Sequence, residues 1–159
     1  MSAAEVAGFF CDSSAIVKRY VNETGSNFVD NLADLKSGNV VLLARITRVE
    51  FAAAIARRLK NGSVTTADAQ NALAAFQHDL TNNYLTVEIT SVLLSAATTL
   101  ATKHALRGYD AVQLAAALEA NDERIANGLP PLILVSADKD LNTAAQAEGL
   151  NVENPNNYP

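Results

Sequence analysis

Short apolar runs alternate with longer amphipathic segments along this chain. Five runs have the length and the apolar character of buried strands: residues 8–12, 40–43, 84–89, 132–135 and 150–152. The segments between them are long enough to form helices. Buried strands that alternate with helices predict an α/β domain, in which helices cover both faces of a mostly parallel sheet.

The intervening segments place apolar residues at the three- and four-residue spacing of helices. They span residues 13–20, 26–36, 47–59, 66–80, 91–105 and 109–120, and a last helix begins at Asp138. Ser13 and Ser14 are positioned to cap the first helix, while Thr47 and Glu50 have the spacing of a capping box.

No linker or internal repeat divides the sequence. Two prolines and three asparagines predict an irregular tail at residues 154–159. A length of 159 residues, of which 49% are hydrophobic and 18% charged, suits one compact core. We therefore predict a single domain over residues 1–159, with its core at about residues 8–153.

Cysteine content and hydropathy narrow the class of protein further. The one cysteine, Cys11, excludes an internal disulfide and a thiolate metal cluster. No apolar run approaches the ~20 residues that cross a bilayer. We expect a soluble, cytoplasmic protein that does not enter a membrane.

The net charge of −5 argues against a nucleic-acid partner, because affinity for phosphates rests on Lys and Arg. The charges are unevenly distributed, however. Residues 11–60 contain eight basic and five acidic side chains, whereas residues 61–159 contain four basic and eleven acidic ones. If some acids converge on metal ions, the formal charge overstates how strongly the site repels a polyanion.

Two acids follow predicted strands directly. Asp12 and Asp138 therefore lie beyond the carboxyl ends of strands, where open α/β sheets bind ligands. Each is also an ordinary helix N-cap when taken alone; Glu50 fits a capping box, and Asp110 in a first helical turn suits the helix dipole. Two carboxylates at neighbouring strand ends would repel each other unless they share a cation or a proton.

Four segments of the sequence resemble the PIN domain, and more narrowly the VapC-type ribonuclease toxins of toxin–antitoxin pairs. They occur in that family's order and at about its spacing, and the resemblance runs from Phe10 to about Val152. The segments are Asp12-Ser13-Ser14-Ala15-Ile16-Val17-Lys18-Arg19-Tyr20, Arg48-Val49-Glu50-Phe51, Leu106-Arg107-Gly108-Tyr109-Asp110-Ala111-Val112-Gln113-Leu114-Ala115 and Ser136-Ala137-Asp138-Lys139-Asp140-Leu141.

The resemblance implies a PIN-like three-layer α/β fold and a metal-dependent endoribonuclease, a hydrolase of RNA phosphodiesters that acts as a toxin. It implies a catalytic, metal-binding cluster around one or two Mg²⁺ or Mn²⁺ ions, formed by Asp12, Glu50, Asp110 and Asp138. Ser136 matches the small hydroxyl residue that the family places before its last acid. Asp140 departs from the pattern, and it is either an extra outer ligand or a solvated residue of the first helical turn. A small antitoxin protein and a second copy of the chain are the implied partners.

Four basic residues near the acids in sequence are candidates for binding the substrate phosphates: Lys18, Arg19, Arg48 and Arg107. Each is also explained as an ordinary solvated side chain. Tyr20 and Tyr109 can stack on RNA bases or pack against neighbouring helices.

A different class of function is a catalytically weak binding protein that keeps the PIN fold and uses its acids to hold a cation or a partner's arginine. The presence of all four acids favours the enzyme. A phosphatase with an Asp nucleophile would need a second acid two residues after Asp12, where Ser14 stands.

Overall fold

The computed structural model describes residues 6–159, and its centre is a five-stranded sheet. The strands are β1 (Gly8–Cys11), β2 (Val40–Ala44), β3 (Leu85–Val87), β4 (Ile133–Val135) and β5 (Asn151–Glu153). All neighbouring strands are parallel, and their order across the sheet is β3-β2-β1-β4-β5. The predicted parallel sheet is therefore confirmed, and β1 and β4 lie side by side in its centre.

Seven α-helices occur in the described part of the chain. They are α1 (Ser13–Ile16), α2 (Ser26–Ala33), α3 (Thr47–Lys60), α4 (Thr66–Asn82), α5 (Ser91–His104), α6 (Gly108–Ala126) and α7 (Lys139–Ala147). Short 3₁₀ turns follow α1, α2 and β5, at Val17–Arg19, Leu35–Ser37 and Pro155–Asn157. Each predicted strand and each predicted helix has a counterpart.

Helices cover both faces of the sheet because successive strand residues point to opposite faces. Phe10 and Leu134 contribute to a core beneath α5, α6 and α7. Cys11 and Val135, the next residue of each strand, contribute to a second core beneath α1, α2, α3 and α4. The result is the predicted three-layer α/β architecture.

The helices at residues 13–20 and 26–36 are shorter than predicted. α1 ends at Ile16 and continues as a 3₁₀ turn, and α2 ends at Ala33, where Asp34 adopts an extended conformation. Lys18 in the first of these turns is buried, and its Nζ donates to the Thr24 carbonyl at 2.8 Å and to Glu23 at 3.4 Å. The hydrogen bonds of the Lys18 ammonium group thus accompany the change from α-helix to 3₁₀ turn after Ile16.

The predicted capping box at Thr47 and Glu50 is wrong. Ile46 precedes the helix with helical backbone angles, and Thr47 is already inside α3. The Thr47 hydroxyl accepts a hydrogen bond from Gln113, and the Glu50 carboxylate accepts bonds from the side chains of Gln113 and Ser13. Tertiary contacts therefore replace the local cap.

Two C-terminal predictions also need correction. α6 extends to Ala126 because its buried face continues through Ala120 and Arg124, while the intervening polar residues face solvent. In the expected irregular tail, residues 155–157 form a 3₁₀ turn, and Tyr158 stacks on Phe28 of α2 at a ring distance of 4.2 Å. Apolar contacts hold this segment in place.

Within residues 6–159, no helix is long and apolar enough to cross a membrane.

Candidate active site

The four predicted acids come from four separate segments, all at the carboxyl end of the sheet. Asp12 follows β1, Glu50 is in the first turn of α3 after β2, Asp110 is in the first turn of α6, and Asp138 follows β4. The strand order reverses between β1 and β4: β2 and β3 lie on one side of this central pair, and β5 lies on the other. This is the position at which open parallel sheets form ligand crevices.

Asp12 is the most tightly held of the acids. It is 3% exposed, its Oδ1 accepts hydrogen bonds from Ser14 Oγ at 2.7 Å and Ala15 N at 3.0 Å, and its Oδ2 accepts one from Ser136 Oγ at 2.7 Å. A carboxylate oxygen has two acceptor positions. Oδ1 is therefore saturated by protein donors, whereas Oδ2 retains a free position.

Burial raises the pKa of Asp12 from 3.8 to about 6. Hydrogen bonds from Ser14, Ser136 and the Ala15 amide lower the pKa, and the charge of Glu50 raises it again. The hydrogen bonds stabilise the ionised carboxylate, but they do not outweigh the loss of solvent. The site therefore holds a carboxylate that gains from a nearby positive charge.

Glu50 is oriented by two side-chain donors from different elements. Ser13 Oγ donates to Oε2 at 3.2 Å, and Gln113 Nε2 donates to Oε1 at 2.6 Å. Each oxygen keeps one acceptor position. Glu50 is thus tied to both α1 and α6 while remaining partly exposed at the mouth of the crevice.

Asp110 is a half-buried acid in a field of negative charge. Burial raises its pKa to about 6, and the charges of Asp138, Glu50 and Asp140 raise it as well, while Arg107 lowers it. Asp110 is therefore within electrostatic reach of Asp138 and Glu50, and Glu50 is within reach of Asp12 as well. One nearby arginine does not compensate for their combined charge.

Asp138 has the helix-capping role that its position predicts, since its Oδ1 accepts a hydrogen bond from Leu141 N at 2.9 Å. Ser136 is fully buried and donates to Asp12 while accepting from the Asp138 amide at 3.0 Å. It therefore connects the acids that follow β1 and β4. Asp140 is exposed in the first turn of α7.

The predicted basic residues separate into two pairs. Arg48 and Arg107 are exposed at the first turn of α3 and at the N-cap of α6, on the same elements as Glu50 and Asp110. Lys18 is buried in its pairing with Glu23, and Arg19 lies 3.8 Å from Asp79. Arg107 is close enough to Asp110 to lower the pKa of that acid, whereas Arg48 shares only its helix with Glu50. Lys18 and Arg19 have internal partners.

The two tyrosines have opposite environments. Tyr20 packs edge-on against Phe51 at a ring distance of 5.4 Å, and its hydroxyl bonds to Asp79 at 2.6 Å and contacts the Tyr84 hydroxyl. Tyr109 is 59% exposed beside Asp110. Tyr20 is therefore part of the core, and Tyr109 is the aromatic ring available at the site.

The donor set suits a hard divalent cation, because it consists of carboxylate oxygens with free acceptor positions. Among residues 6–159, no three His, Cys, Asp or Glu side chains lie close enough together to enclose an ion. Mg²⁺ usually takes one or two carboxylates and keeps several waters. The geometry therefore fits an open, hydrated site rather than an all-protein cage.

Three further residues shape the site, and the sequence analysis did not assign them to it. Ser14 bonds to Asp12 and accepts from the Ala137 amide at 2.9 Å, Ser13 bonds to Glu50, and Gln113 bonds to Glu50. The signal for Gln113 was present, because it is a polar residue three positions after Asp110 in an otherwise apolar run. Ser13 and Ser14 were predicted to be helix caps, but Asp12 itself caps α1.

Comparison with known proteins agrees with this geometry. The PIN domain family matches residues 9–147. Two Mycobacterium tuberculosis proteins, Ribonuclease VapC45 of strain CDC 1551 / Oshkosh and Ribonuclease VapC49 of strain ATCC 25618 / H37Rv, are each 34% identical to this chain over 143 residues. The matched region covers 90% of this chain and 92% of each relative.

Solved structures with low sequence identity share the fold. PAE2754 from Pyrobaculum aerophilum has a TM-score of 0.60 at 18% identity, covering 94% of this chain and 91% of that chain. VapBC2 from Rickettsia felis, bound to a DNA fragment from its promoter, has a TM-score of 0.62 at 15% identity, covering 92% and 98%. By family match, by identity to its relatives and by fold, the chain belongs to the PIN-domain family and to its VapC-type members.

Proposed function

We propose that this protein is a metal-dependent endoribonuclease that hydrolyses RNA phosphodiester bonds as the toxin of a toxin–antitoxin pair. The observation that carries the proposal is the convergence of Asp12, Glu50, Asp110 and Asp138 at one end of the sheet, with raised pKa values for Asp12 and Asp110. The ribonuclease names of the two 34% identical relatives support the same activity.

In this mechanism Asp12, Glu50, Asp110 and Asp138 would hold the cation, some of them through bound water, and Ser14 and Ser136 fix the orientation of Asp12. When bound, a divalent ion acidifies water and offsets the charge that develops on the phosphate. In the proposal the attacking group is water, because the Ser13, Ser14 and Ser136 hydroxyls are already engaged in hydrogen bonds to Glu50 and Asp12.

Arg48 and Arg107 are exposed on the elements that carry Glu50 and Asp110. In the proposal they bind substrate phosphates and so position the RNA. The exposed ring of Tyr109 is available to stack on an unpaired base. Single-stranded or looped RNA suits such a site, because its bases can leave the stack.

Oxygen ligands and water suit both Mg²⁺ and Mn²⁺. We propose that one or two such ions bind at the acids. An ion that keeps several of its waters at these acids would leave room for a substrate phosphate to bind beside them.

The proposed partner is a small antitoxin protein that covers the acids. The proposed location is the cytoplasm, where the toxin meets its RNA substrate. Two neighbouring structures support a protein partner, since both are toxin–antitoxin complexes: VapBC2 of Rickettsia felis, and FitAB, with a TM-score of 0.63 at 15% identity. An arginine from the antitoxin would match the uncompensated negative charge around Asp110.

We also propose a homodimer. Light scattering of the purified chain at micromolar concentration is expected to give twice the mass of 16.8 kDa. A monomer mass throughout the concentration range would contradict the dimer without affecting the assignment of the acids.

The test of the nuclease is the cleavage of fluorescent single-stranded and hairpin RNAs by antitoxin-free protein, with Mg²⁺, Mn²⁺ or excess chelator. Asp110→Asn is expected to abolish cleavage while the protein keeps its helical circular dichroism, because loss of one repelling charge does not destabilise the metal-free cluster. Asp122→Asn, on the exposed part of the same helix, is the matched control and should cleave normally.

Cleavage that persists in chelator, or in Asp110→Asn, would contradict the proposal. A folded wild-type protein that binds Mn²⁺ but cuts no RNA would indicate the binding-protein alternative. One observation favours this second function: among residues 6–159, no three His, Cys, Asp or Glu side chains lie close enough together to enclose an ion.

A further inference from the structure

Gln113 connects the two helices that supply Glu50 and Asp110. It lies on α6 three residues after Asp110, so both side chains project from the same face of that helix. Its side chain is 1% exposed, and Nε2 donates to Glu50 Oε1 at 2.6 Å and to Thr47 Oγ1 at 2.9 Å. Thr47 and Glu50 are themselves three residues apart on α3. The amide therefore joins the first turns of α3 and α6.

Charge dictates which way this amide faces. Only the nitrogen can donate to a carboxylate, so Nε2 must point to Glu50. In this orientation Gln113 Oε1 is buried and has no hydrogen-bond partner in the described residues. An unpaired buried carbonyl oxygen opposes folding, and native proteins retain few such groups. The contact to Glu50 is thus kept at the expense of stability, which points to a role in the site.

We infer that Gln113 is a positioning residue that holds Glu50 toward the bound divalent cation. Without the amide, Glu50 keeps one side-chain donor, Ser13 Oγ at 3.2 Å, and its long side chain regains rotamer freedom. This inference rests on the proposed function, because it assigns Glu50 to the cation. Groups behind a metal ligand commonly change metal affinity 10–100-fold when they are replaced.

The test is the affinity for Mn²⁺ alone, measured by titration calorimetry on wild type, Gln113→Leu, Glu50→Gln and the double variant. Gln113→Leu is expected to weaken Mn²⁺ binding about tenfold and to lower kcat for RNA cleavage with little change in KM. In the Glu50→Gln background, Gln113→Leu should have no further effect, because the carboxylate that it positions is gone.

Two further variants distinguish a loss of Glu50 positioning from a loss of folding stability. Gln113→Asn keeps a buried amide but withdraws it by one methylene, and the same loss of Mn²⁺ affinity is expected even if Gln113→Leu folds poorly. Asn121→Ala removes another polar contact of α6, the bond from Leu132 N to Asn121 Oδ1 at 2.9 Å. It should lower the Tm and leave Mn²⁺ affinity unchanged.

The inference would be overturned by unchanged Mn²⁺ affinity in both Gln113 variants. It would also be overturned if Gln113→Leu weakened Mn²⁺ binding equally in the wild-type and Glu50→Gln backgrounds. In either case, RNA cleavage by the wild type would still uphold the nuclease. Conversely, the expected Mn²⁺ affinities in a protein that cuts no RNA would support the positioning role and contradict the nuclease. A wild-type protein that binds no Mn²⁺ would overturn both.

Discussion

Asp12 caps a helix and faces other acids with the same carboxylate. Its Oδ1 accepts from the Ala15 amide, and its Oδ2 accepts from Ser136 in the buried centre of the site. The capping role requires an ionised or at least an accepting oxygen, whereas burial and Glu50 favour the protonated form. The helix cap and the burial of this carboxyl group therefore make opposite demands on its protonation state.

This conflict gives a pH dependence with a definite sign. The pKa of Asp12 is raised from 3.8 to about 6, so the folded protein binds this proton more tightly than the unfolded chain. The resulting stabilisation is full below about pH 3.8 and is lost as the pH rises through about 6.

In chelator, the free energy of unfolding of wild type relative to Asp12→Asn should therefore rise by roughly 2 kcal/mol between about pH 7 and about pH 4.5. Urea unfolding of both proteins at each pH measures it. The difference between the proteins removes the contribution of all other carboxylates. A gap that stays constant, or that changes in the opposite direction, would contradict the raised pKa.

At the level of single residues, sequence reasoning identified the acids but not what holds them. Asp12 and Asp138 were recognisable because each follows an apolar strand, and the structure shows that both are helix N-caps at the carboxyl end of the sheet. Ser14 and Gln113 depend on contacts with Ala137 and Glu50, which are 123 and 63 residues away. No local pattern encodes such pairs.

Helix α6 is tied to the start of the sheet by one side chain. Arg124 is 6% exposed, and its Nε and Nη2 donate to the carbonyls of Pro130 and Val6 at 3.0 and 2.8 Å. A Cβ added at Gly8 would lie 2.5 Å from the Arg124 guanidinium carbon. Glycine at position 8 therefore leaves the space that this arginine fills.

Gly8→Ala should displace the guanidinium and leave two carbonyls unpaired, which we expect to lower the free energy of unfolding by ~2 kcal/mol. In an Arg124→Ala background the same change should cost much less, because the two sites are coupled. Gly108→Ala is the control, since an added Cβ there meets nothing within 4 Å and α6 gains helix propensity. Equal costs of Gly8→Ala in both backgrounds would show that the guanidinium is not the obstacle.

Element types were predictable, while several element ends were not. A capping box does occur in this protein, between Thr65 and Asp68 of α4, where both reciprocal bonds form. The similar pattern at Thr47 fails because Gln113 takes up both the hydroxyl and the Glu50 carboxylate. Local sequence rules recognise a capping box by residue type alone. Whether the box forms depends also on buried partners from other helices.

On the scale of the whole molecule, an acidic chain must still bind a polyanion. With a net charge of −5, long-range attraction for RNA is absent, and affinity depends on the few basic groups beside the site. Arg107 is exposed and lowers the pKa of Asp110, so we expect it to bind a phosphate of RNA held at the acids.

Arg107→Gln should raise KM for RNA several-fold with a smaller change in kcat, and it should reduce the slope of log KM against log salt by about 0.7, the value for one phosphate of a single strand. Lys60→Gln, at the exposed end of α3, is the control and should leave both unchanged. A salt slope that is the same in wild type and Arg107→Gln would remove Arg107 from the phosphate contacts.

The order of strands across the sheet explains a part of the architecture that the sequence could not specify. Strand and helix alternation predicted a parallel sheet, but several strand orders satisfy the same alternation. The placement of β4 beside β1 results from long-range packing of Phe10 and Leu134 in one core. That placement is what brings Asp12 and Asp138 together.

This pairing of an early strand with a late one also has a consequence during synthesis. The site needs Asp12, near the beginning of the chain, and β4 with Asp138, more than 120 residues later. More than 120 residues must therefore leave the ribosome after Asp12 before the carboxylate of Asp138 can join it. We expect a nascent chain of this topology to lack a complete acid cluster until β4 and Asp138 have emerged.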